Sequence, residues 1–342
     1  MNLWEKMNRL LKTGIEKQIY PGAALLIGKE NKILYSKEYG KLSKEKNSPY
    51  VTTETVYDIA SLTKIVTVVP AIMNLLSNGE ISLEDPVYLY LEEFNDREEI
   101  LIIHLLTHTS GLPAYTLLWK KKTGNELLDE ILKIQPEAKP YERFEYSCLN
   151  YIILRAMVER ITSMSFDKYC KHNIFEPLNM KNTTFNPDPS TENIAPTSVR
   201  DGKTLKGNPD DELAYYLGGI GGNAGCFSNT HDLFNYLIGL KKGTLVPVKI
   251  FQEFISRIIS VNKVETHIGW RSPKTGKSAG DFLHSSAYGH TGFTGTSIWV
   301  EPESDISVIL LTNRTNIERW STIPQMQSIR RRLHNLVFSH IN

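Results

Sequence analysis

The sequence predicts an α+β fold, in which an antiparallel sheet flanked by helices is joined to a mostly helical lobe. Residues 61–180 carry mostly helical patterns of apolar residues. Strand patterns are confined to the two ends of the chain, at residues 23–28, 32–36, 296–300 and 306–312. We therefore expect the two ends of the chain to pair into one sheet. A cleft between this sheet and the helices would lie near Ser61.

The elements follow from local signals. At the start of the chain, apolar residues at helical spacing predict an opening helix, which Pro21-Gly22 ends. Two strands surround the turn at residues 29–31, and residues 40–55 form a polar connection. An apolar helix then runs from Ser61 to about Asn78. Further helices are predicted at residues 100–107, 127–134, 151–162, 166–175 and 228–240, with a C-terminal helix after the last strand.

A chain of 342 residues suffices for one large domain or two closely joined ones. We expect an α/β lobe that contains the sheet, formed by residues 1–60 and 205–342. Residues 61–204 would form the helical lobe, and the active-site cleft would lie between the two.

The bulk composition excludes several functional classes. The net charge of +1 gives no reason to expect a nucleic-acid or membrane partner. The one basic cluster, Arg330 to Arg332, is interpreted as the solvated face of the C-terminal helix. Cys148, Cys170 and Cys226 show neither a disulfide framework nor metal-ligand spacing, and the first residues lack a secretory apolar segment. These features predict a cytoplasmic protein, although a trimmed export signal would leave the same pattern.

Ser61 and Lys64 are the leading candidates for chemistry. Ser-x-x-Lys occurs four times, but only here does an apolar helix follow. Residues three apart on a helix share a face, which brings the lysine amine near the serine hydroxyl. For Lys64 to act as a base, its pKa of about 10.4 must fall towards neutrality, as burial would favour. The alternative is a helix-capping serine beside a surface lysine.

Two further motifs supply other parts for acyl transfer. Tyr146 stands at the start of a predicted helix, in Tyr-Ser-Cys. His290 precedes a strand, in His-Thr-Gly. Together with Ser61 and Lys64 these residues provide a nucleophile, a proton acceptor, a proton relay and an electropositive anchor.

These motifs, in this order, resemble the serine β-lactamase and penicillin-binding protein superfamily, specifically its AmpC-type branch, which includes family VIII esterases and D-aminopeptidases. Further stretches that resemble the branch lie at residues 105–112, 177–180, 219–228 and 311–314. The resemblance implies the β-lactamase/transpeptidase-like fold and an acyl-enzyme on Ser61. It requires neither a cofactor nor a metal, and its substrates are small-molecule esters, amides or β-lactams.

The same resemblance implies the roles of individual residues. Lys64 and Tyr146 share the proton work, and His290, Thr291 and Gly292 form the strand edge that holds the substrate. The backbone N–H groups of Ser61 and Phe293 form the oxyanion hole.

Two positions depart from the pattern of the family. Cys148 stands where an asparagine usually binds the acylamide carbonyl, and a thiol is a poor replacement, although Asn150 lies nearby. His290 replaces a lysine and is charged only below a pKa of about 6.5. If that charge binds a substrate carboxylate, affinity should fall as the pH rises. Both departures argue against strong β-lactamase activity more than against serine chemistry.

Other patterns have simpler explanations. His104 and His108 are four residues apart, as in a metal-binding helix, but Leu105 replaces the glutamate of a zinc protease. His108 is expected to orient the turn at Gly111. The glycine cluster at residues 218–225 lacks the ending of a phosphate-binding loop, which favours close backbone packing beside a pocket.

Two functions from different classes remain open at this stage. The first is a serine hydrolase acting on β-lactam, D-amino-acid peptide or ester substrates through acyl-Ser61. The second is a catalytically silent, penicillin-binding-like ligand sensor or scaffold. The sequence does not indicate the oligomeric state.

Overall fold

The computed structural model describes residues 1–275 and 278–341. The strands are β1 (Gly22–Lys29), β2 (Lys32–Gly40), β3 (Tyr57–Asp58), β4 (Thr184–Phe185), β5 (Val199–Arg200), β6 (Lys203–Thr204), β7 (Cys226–Ser228), β8 (Ile258–Val261), β9 (Val264–His267), β10 (Tyr288–Thr291), β11 (Ser297–Glu301) and β12 (Ile306–Thr312). The α-helices are α1 (Leu3–Glu16), α2 (Val69–Ser77), α3 (Ile102–Leu106), α4 (Gly124–Leu132), α5 (Cys148–Thr162), α6 (Phe166–Cys170), α7 (Glu212–Tyr216), α8 (Thr230–Lys242), α9 (Val248–Ser256) and α10 (Ile323–Phe338).

The main sheet joins the two ends of the chain, as predicted. Its five strands lie in the order β10-β11-β12-β1-β2, and every neighbouring pair is antiparallel. Strand β1 lies between β2 and β12, so that Leu25 is opposite Leu310 and Leu26 is opposite Ile309. The predicted α+β class is confirmed, whereas the boundaries of the two lobes stay a prediction.

Alternation along the central strands divides the core into two layers. Leu25 and Leu310 pack with apolar residues of α1 and α10 on one face of the sheet. Leu26 and Ile309 belong to the larger core on the other face, which also contains α2, α5 and α8. Successive strand residues point to opposite faces, so an unbroken apolar strand can contribute to both layers.

The segment after Ser61 begins with a π-helical turn, Lys64–Val68, and continues as α2. Pro70 lies in the first turn of α2 and has no N–H to donate. The N–H of Val69 donates to the carbonyl of Lys64, five residues earlier, which is the hydrogen bond of a π-helix. Both pieces are almost entirely buried, which fixes Lys64 within the protein.

The structure corrects one interpretation of α10 and adds elements that the sequence did not reveal. Arg330 does not lie on a solvated face: it is buried and donates to the carbonyls of Gly292 (2.8 Å) and Thr296 (2.7 Å). Helix α9 and the β8–β9 hairpin lie in a stretch for which no element was predicted. Among residues 1–275 and 278–341, no helix combines the length and hydropathy needed to cross a membrane. The cytoplasmic location stays a prediction.

Candidate active site

Ser61 follows a short, tightly held turn. Strand β3 pairs with β7, and the N–H of Ile59 donates to the carbonyl of Cys226 (3.1 Å). Ala60 then adopts a left-handed backbone, with φ +47°, which few residues other than glycine adopt. This turn places the half-buried Ser61 side chain at the edge of a cleft, directly before the buried helical segment.

The predicted contact between Ser61 and Lys64 is present. Lys64 Nζ lies 3.0 Å from Ser61 Oγ and donates a second hydrogen bond to the carbonyl of Asn223 at 2.8 Å. Asn223 belongs to the glycine-rich segment, whose close packing is evident at Gly225. A Cβ there would lie 2.1 Å from the carbonyl oxygen of Gly219. The glycine cluster therefore brings a backbone acceptor to the lysine, beside the cleft as expected.

The pKa of Lys64 does not move in the direction that a lysine base acting alone requires. Burial disfavours the ammonium and lowers the pKa, but the negative charge that Tyr146 carries when ionised, a hydrogen bond with Tyr146 and the charge of Asp211 together raise it above its ordinary value. The expected fall is therefore wrong. With a protonated Lys64 beside it, the Tyr146 oxygen is the better candidate for accepting the serine proton.

Tyr146 is surrounded by cations and rings. Lys64 Nζ lies 5.2 Å from the centre of its ring, and the guanidinium carbon of Arg271 lies 4.5 Å from it. The ring of His108 packs against it with a centroid separation of 4.5 Å. Both cations therefore lie within cation–π distance of the Tyr146 ring.

His108 holds the segment that carries Tyr146, and its predicted role at the turn of Gly111 stays a prediction. Its Nδ1 accepts the N–H of Ser147 at 3.1 Å, and its backbone carbonyl accepts the N–H of Glu145 at 3.0 Å. Both residues adjoin Tyr146, so His108 fixes the tyrosine. Burial, together with the charges of Lys64 and Arg271, holds the pKa of His108 well below its usual range. The nearby His104 accepts a different N–H, that of Leu101, so the two rings do not converge as a metal site requires.

The predicted role of His290 as an electropositive anchor is wrong. His290 is almost fully buried and does not line the cleft, and its Nδ1 lies 3.0 Å from the carbonyl oxygen of Thr291. Burial is the main reason that its pKa lies well below the usual value, and the positive charges of Arg271, Lys64 and His108 lower it further, in that order. His290 is therefore neutral at physiological pH and cannot supply charge to a substrate carboxylate.

The other predicted binding residues separate into two groups. Cys148, Thr291, Gly292 and Phe293 line the cleft together with Ser61 and Tyr146. Asn150 does not: it is completely buried, and its Oδ1 accepts from Ser110 Oγ at 2.8 Å. Asn150 therefore does not compensate for Cys148 at the cleft, and its predicted place among the substrate-binding residues is wrong. Burial raises the pKa of the Cys148 thiol, which keeps it protonated at neutral pH.

The cleft encloses about 700 Å³, and its lining is of mixed character. Apolar and aromatic side chains contribute to it, including Leu117, Trp119 and Phe293. Charged groups of both signs also line it, including the four arginines Arg271, Arg314, Arg319 and Arg330 and the acidic residues Asp210, Asp211 and Glu212. Substrates that fit this cleft would combine an apolar group with an anionic group.

Arg271 is the functional candidate that the sequence did not reveal. Its backbone pairs with Gly289 at the edge of β10, through N–H···O distances of 2.8 and 3.1 Å. In the described part of the chain, no ion pair involves Arg271, whereas Arg319 is paired with Asp210 and Glu212. Arg271 is thus available to bind an anion in the cleft. No motif surrounds it in the sequence, so only its position in the fold identifies it.

Comparisons with known proteins show the family of the chain. The family model described as Beta-lactamase matches residues 7–322. A protein of Salmonella agona (strain SL483), provisionally named D-alanyl-D-alanine carboxypeptidase, is 32% identical, and the match covers 91% of this chain and 83% of that protein.

Solved structures show a similar fold. The octameric penicillin-binding protein homologue from Pyrococcus abyssi aligns with a TM-score of 0.75 at 24% identity, covering 91% of this chain and 74% of that one. EstCE1, a hydrolase with promiscuous acyltransferase activity, aligns with a TM-score of 0.75 at 19% identity, covering 97% of this chain and 98% of that one. At these identities the similarity concerns the fold alone.

Proposed function

The chain belongs to the Beta-lactamase family and is a serine hydrolase, and from this premise we propose that it cleaves small peptides or esters bearing a carboxylate through an acyl-Ser61 intermediate. The observation that carries the proposal is the 3.0 Å contact between Lys64 Nζ and Ser61 Oγ, in a cleft shared with Tyr146. The relative named as a carboxypeptidase favours peptides ending in D-alanyl-D-alanine among these substrates.

The proposed reaction begins with attack of Ser61 Oγ on the substrate carbonyl carbon. The serine proton passes to the Tyr146–Lys64 pair as the new C–O bond forms. Negative charge develops on the carbonyl oxygen, where the backbone N–H groups of Ser61 and Phe293 stabilise it. Collapse of this intermediate breaks the bond to the leaving amine or alcohol, which takes the proton from the same pair. Water then releases the acyl group by the reverse sequence.

Arg271 takes the role that the sequence suggested for His290. An arginine guanidinium is a permanent cation that presents several N–H donors to a planar carboxylate. His290 contributes through position instead, because its backbone continues β10 into Thr291 and Gly292 at the cleft.

A second candidate is an esterase for substrates with an apolar acyl group. Cys148 is a weak donor for an acylamide, and it lines the same cleft as Tyr115, Leu117 and Trp119. Such a surface suits an alkyl or aryl acyl chain better than the acylamide of a penicillin. The catalytically silent alternative is disfavoured, because the serine–lysine contact that it does not need is present.

Acyl-enzyme trapping would test the proposal. The protein would be incubated with a fluorophosphonate and with a fluorescent penicillin, and intact mass would report adducts. We expect one fluorophosphonate adduct, which is lost in Ser61→Ala. Turnover would then be compared for a peptide ending in D-alanyl-D-alanine, its C-terminal amide and a p-nitrophenyl ester of a medium-chain acid. Wild-type turnover in Ser61→Ala would refute serine catalysis, and ester turnover without peptide turnover would favour the second candidate.

A further inference from the structure

Asp58, three residues before Ser61, has a carboxylate that nothing in the proposed reaction uses. It is 2% exposed, and each of its oxygens accepts a different backbone N–H. Oδ1 accepts from Ala60 at 2.8 Å, and Oδ2 accepts from Asp210 at 2.7 Å. An ionised carboxylate satisfies both donors, because it is an acceptor at both oxygens. An amide or a protonated acid would direct a hydrogen towards one of the two N–H groups.

The first of these bonds holds the turn that aims Ser61. Ala60 has the left-handed backbone described above, and its N–H is fixed by Asp58. The backbone carbonyl of Asp58 accepts from Thr294 Oγ1 at 2.7 Å, and the next carbonyl, that of Ile59, accepts from Thr296 Oγ1 at 3.0 Å. Both threonines follow Phe293. The turn that precedes Ser61, residues 58–60, is therefore hydrogen-bonded directly to the segment that follows Phe293, which contains the proposed oxyanion donor.

The second bond holds the opposite side of the site. The Asp210 carboxylate pairs with Arg319 at 3.3 Å. The next residue, Asp211, accepts from Asn223 Nδ2 at 2.9 Å, and the carbonyl of Asn223 is the acceptor for Lys64. Asp58 thus connects the serine turn to the segment that holds the lysine.

We propose that ionised Asp58 is a positioning residue, which sets the orientation of Ser61 for acylation by holding the amides of Ala60 and Asp210. The inference rests on the proposed function, since it concerns the rate at which Ser61 is acylated. It assigns Asp58 no contact with substrate.

The protonation of Asp58 is poised to change near neutral pH. Burial is the largest effect and raises its pKa to about 7. The charges of Asp210 and Asp211 add to this rise, whereas the hydrogen bonds from the N–H groups of Asp210 and Ala60 oppose it. Within residues 1–275 and 278–341, the other ionisable group that faces it is the buried Cys226 thiol, whose own pKa is raised well above the usual value, first by burial. Below about pH 7 the carboxyl gains a proton and one of its two acceptor contacts weakens.

The test measures the rate of Ser61 labelling by a fluorophosphonate from pH 5.5 to 8.5. In the wild type we expect the rate to fall below about pH 7. In Asp58→Asn we expect a rate about 10- to 100-fold lower at pH 8, because misplacement of a reacting group is costly. We also expect the fall near pH 7 to be absent from this variant, while kcat for a turned-over ester drops more than KM changes. Asp58→Glu, which keeps the charge, should recover part of the rate and the pH dependence.

Asp232 provides the matched control. It is also buried, burial raises its pKa, and its carboxylate accepts the N–H of Asn182 (2.7 Å) and Thr183 Oγ1 (2.9 Å). It does not line the cleft. Asp232→Asn should leave the rate and the pH profile as in the wild type, with thermal melting showing that each variant is folded.

The outcomes separate the two proposals. Absence of Ser61 labelling in the wild type would overturn the proposed function. Normal wild-type labelling together with an unchanged rate and pH profile in folded Asp58→Asn would overturn the positioning role alone. If Asp58→Asn does not fold, the wild type and Asp58→Glu decide. A wild-type labelling rate that stays constant from pH 5.5 to 8.5 overturns the positioning role. A labelling rate that falls near pH 7 in the wild type, and at a different pH in Asp58→Glu, supports it.

Discussion

Replacing Arg271 with glutamine should weaken carboxylate substrates selectively. The guanidinium is half-buried in the cleft, it stacks 4.5 Å from the Tyr146 ring centre, and it has no carboxylate partner in the described part of the chain. A hydrogen bond to a charged group contributes about 1.5–3 kcal/mol. Because the group is partly exposed, we take the middle of this range, about 2 kcal/mol, which corresponds to about a 30-fold increase in KM.

The assay compares two substrates that differ in one group. A peptide ending in a free carboxylate and the same peptide ending in an amide would be tested on the wild type, Arg271→Gln and Arg271→Lys. We expect the glutamine variant to raise KM for the carboxylate peptide about 30-fold and for the amide less than about threefold. The lysine variant should lie between, because it keeps the charge but not the planar donors.

The pH dependence provides an independent measurement. Arginine is a permanent cation, and His290, with a pKa that burial holds well below its usual value, stays neutral. KM for the carboxylate peptide should therefore be flat from pH 6 to pH 8. Equal KM increases for both peptides in Arg271→Gln, or a wild-type KM that rises with pH through about 6.5, would refute the assignment and restore His290 as the anchor.

Three other substitutions test the site and the fold. Gly292→Ala places a Cβ 2.1 Å from Thr296 Oγ1, and we expect Ser61 labelling to fall about 100-fold; half the wild-type rate would contradict this. His108→Phe removes the acceptor that fixes the segment carrying Tyr146, so kcat should fall about fivefold with little change in KM; an unchanged kcat would remove that role. Arg97→Ala removes donors to three carbonyls and should cost about 3 kcal/mol of unfolding free energy in urea melts, with kcat preserved; a loss below about 1 kcal/mol would contradict this.

The parts of the site that depend on local geometry could be predicted from the sequence. Ser61 and Lys64 are three residues apart on a helical segment, so their contact follows from the rise and twist of that segment. The motif around Tyr146 identifies that residue, and the apolar strands at both ends predict the sheet.

The different positions of Cys148 and Asn150 also follow from helix geometry. Two residues apart on a helix, they are about 200° apart around the axis, so only one can face the cleft.

The parts that depend on distant neighbours could not be predicted. Arg271 lies in a stretch without a recognisable element, and the fold alone brings it over Tyr146. Arg330 follows the same pattern as Arg331 and Arg332, and only the crossing of α10 over the Gly292 segment buries it. The neutral state of His290 results from burial and from cations far away in the sequence. Charge state and orientation are properties of the assembled site.

The central place of β1 between β2 and β12 has a consequence for synthesis of the chain. Strand β1 is hydrogen-bonded to β2 on one side and to β12 (Ile306–Thr312) on the other. Because β12 is synthesised almost last, β1 cannot complete its hydrogen bonds until nearly the whole polypeptide has left the ribosome. Until then, a nascent chain exposes an apolar strand edge that can associate with other chains. Truncations that remove β12 should therefore accumulate as insoluble material rather than as a smaller folded enzyme. Shielding of the nascent N-terminal hairpin by a chaperone would raise the yield of the full-length protein.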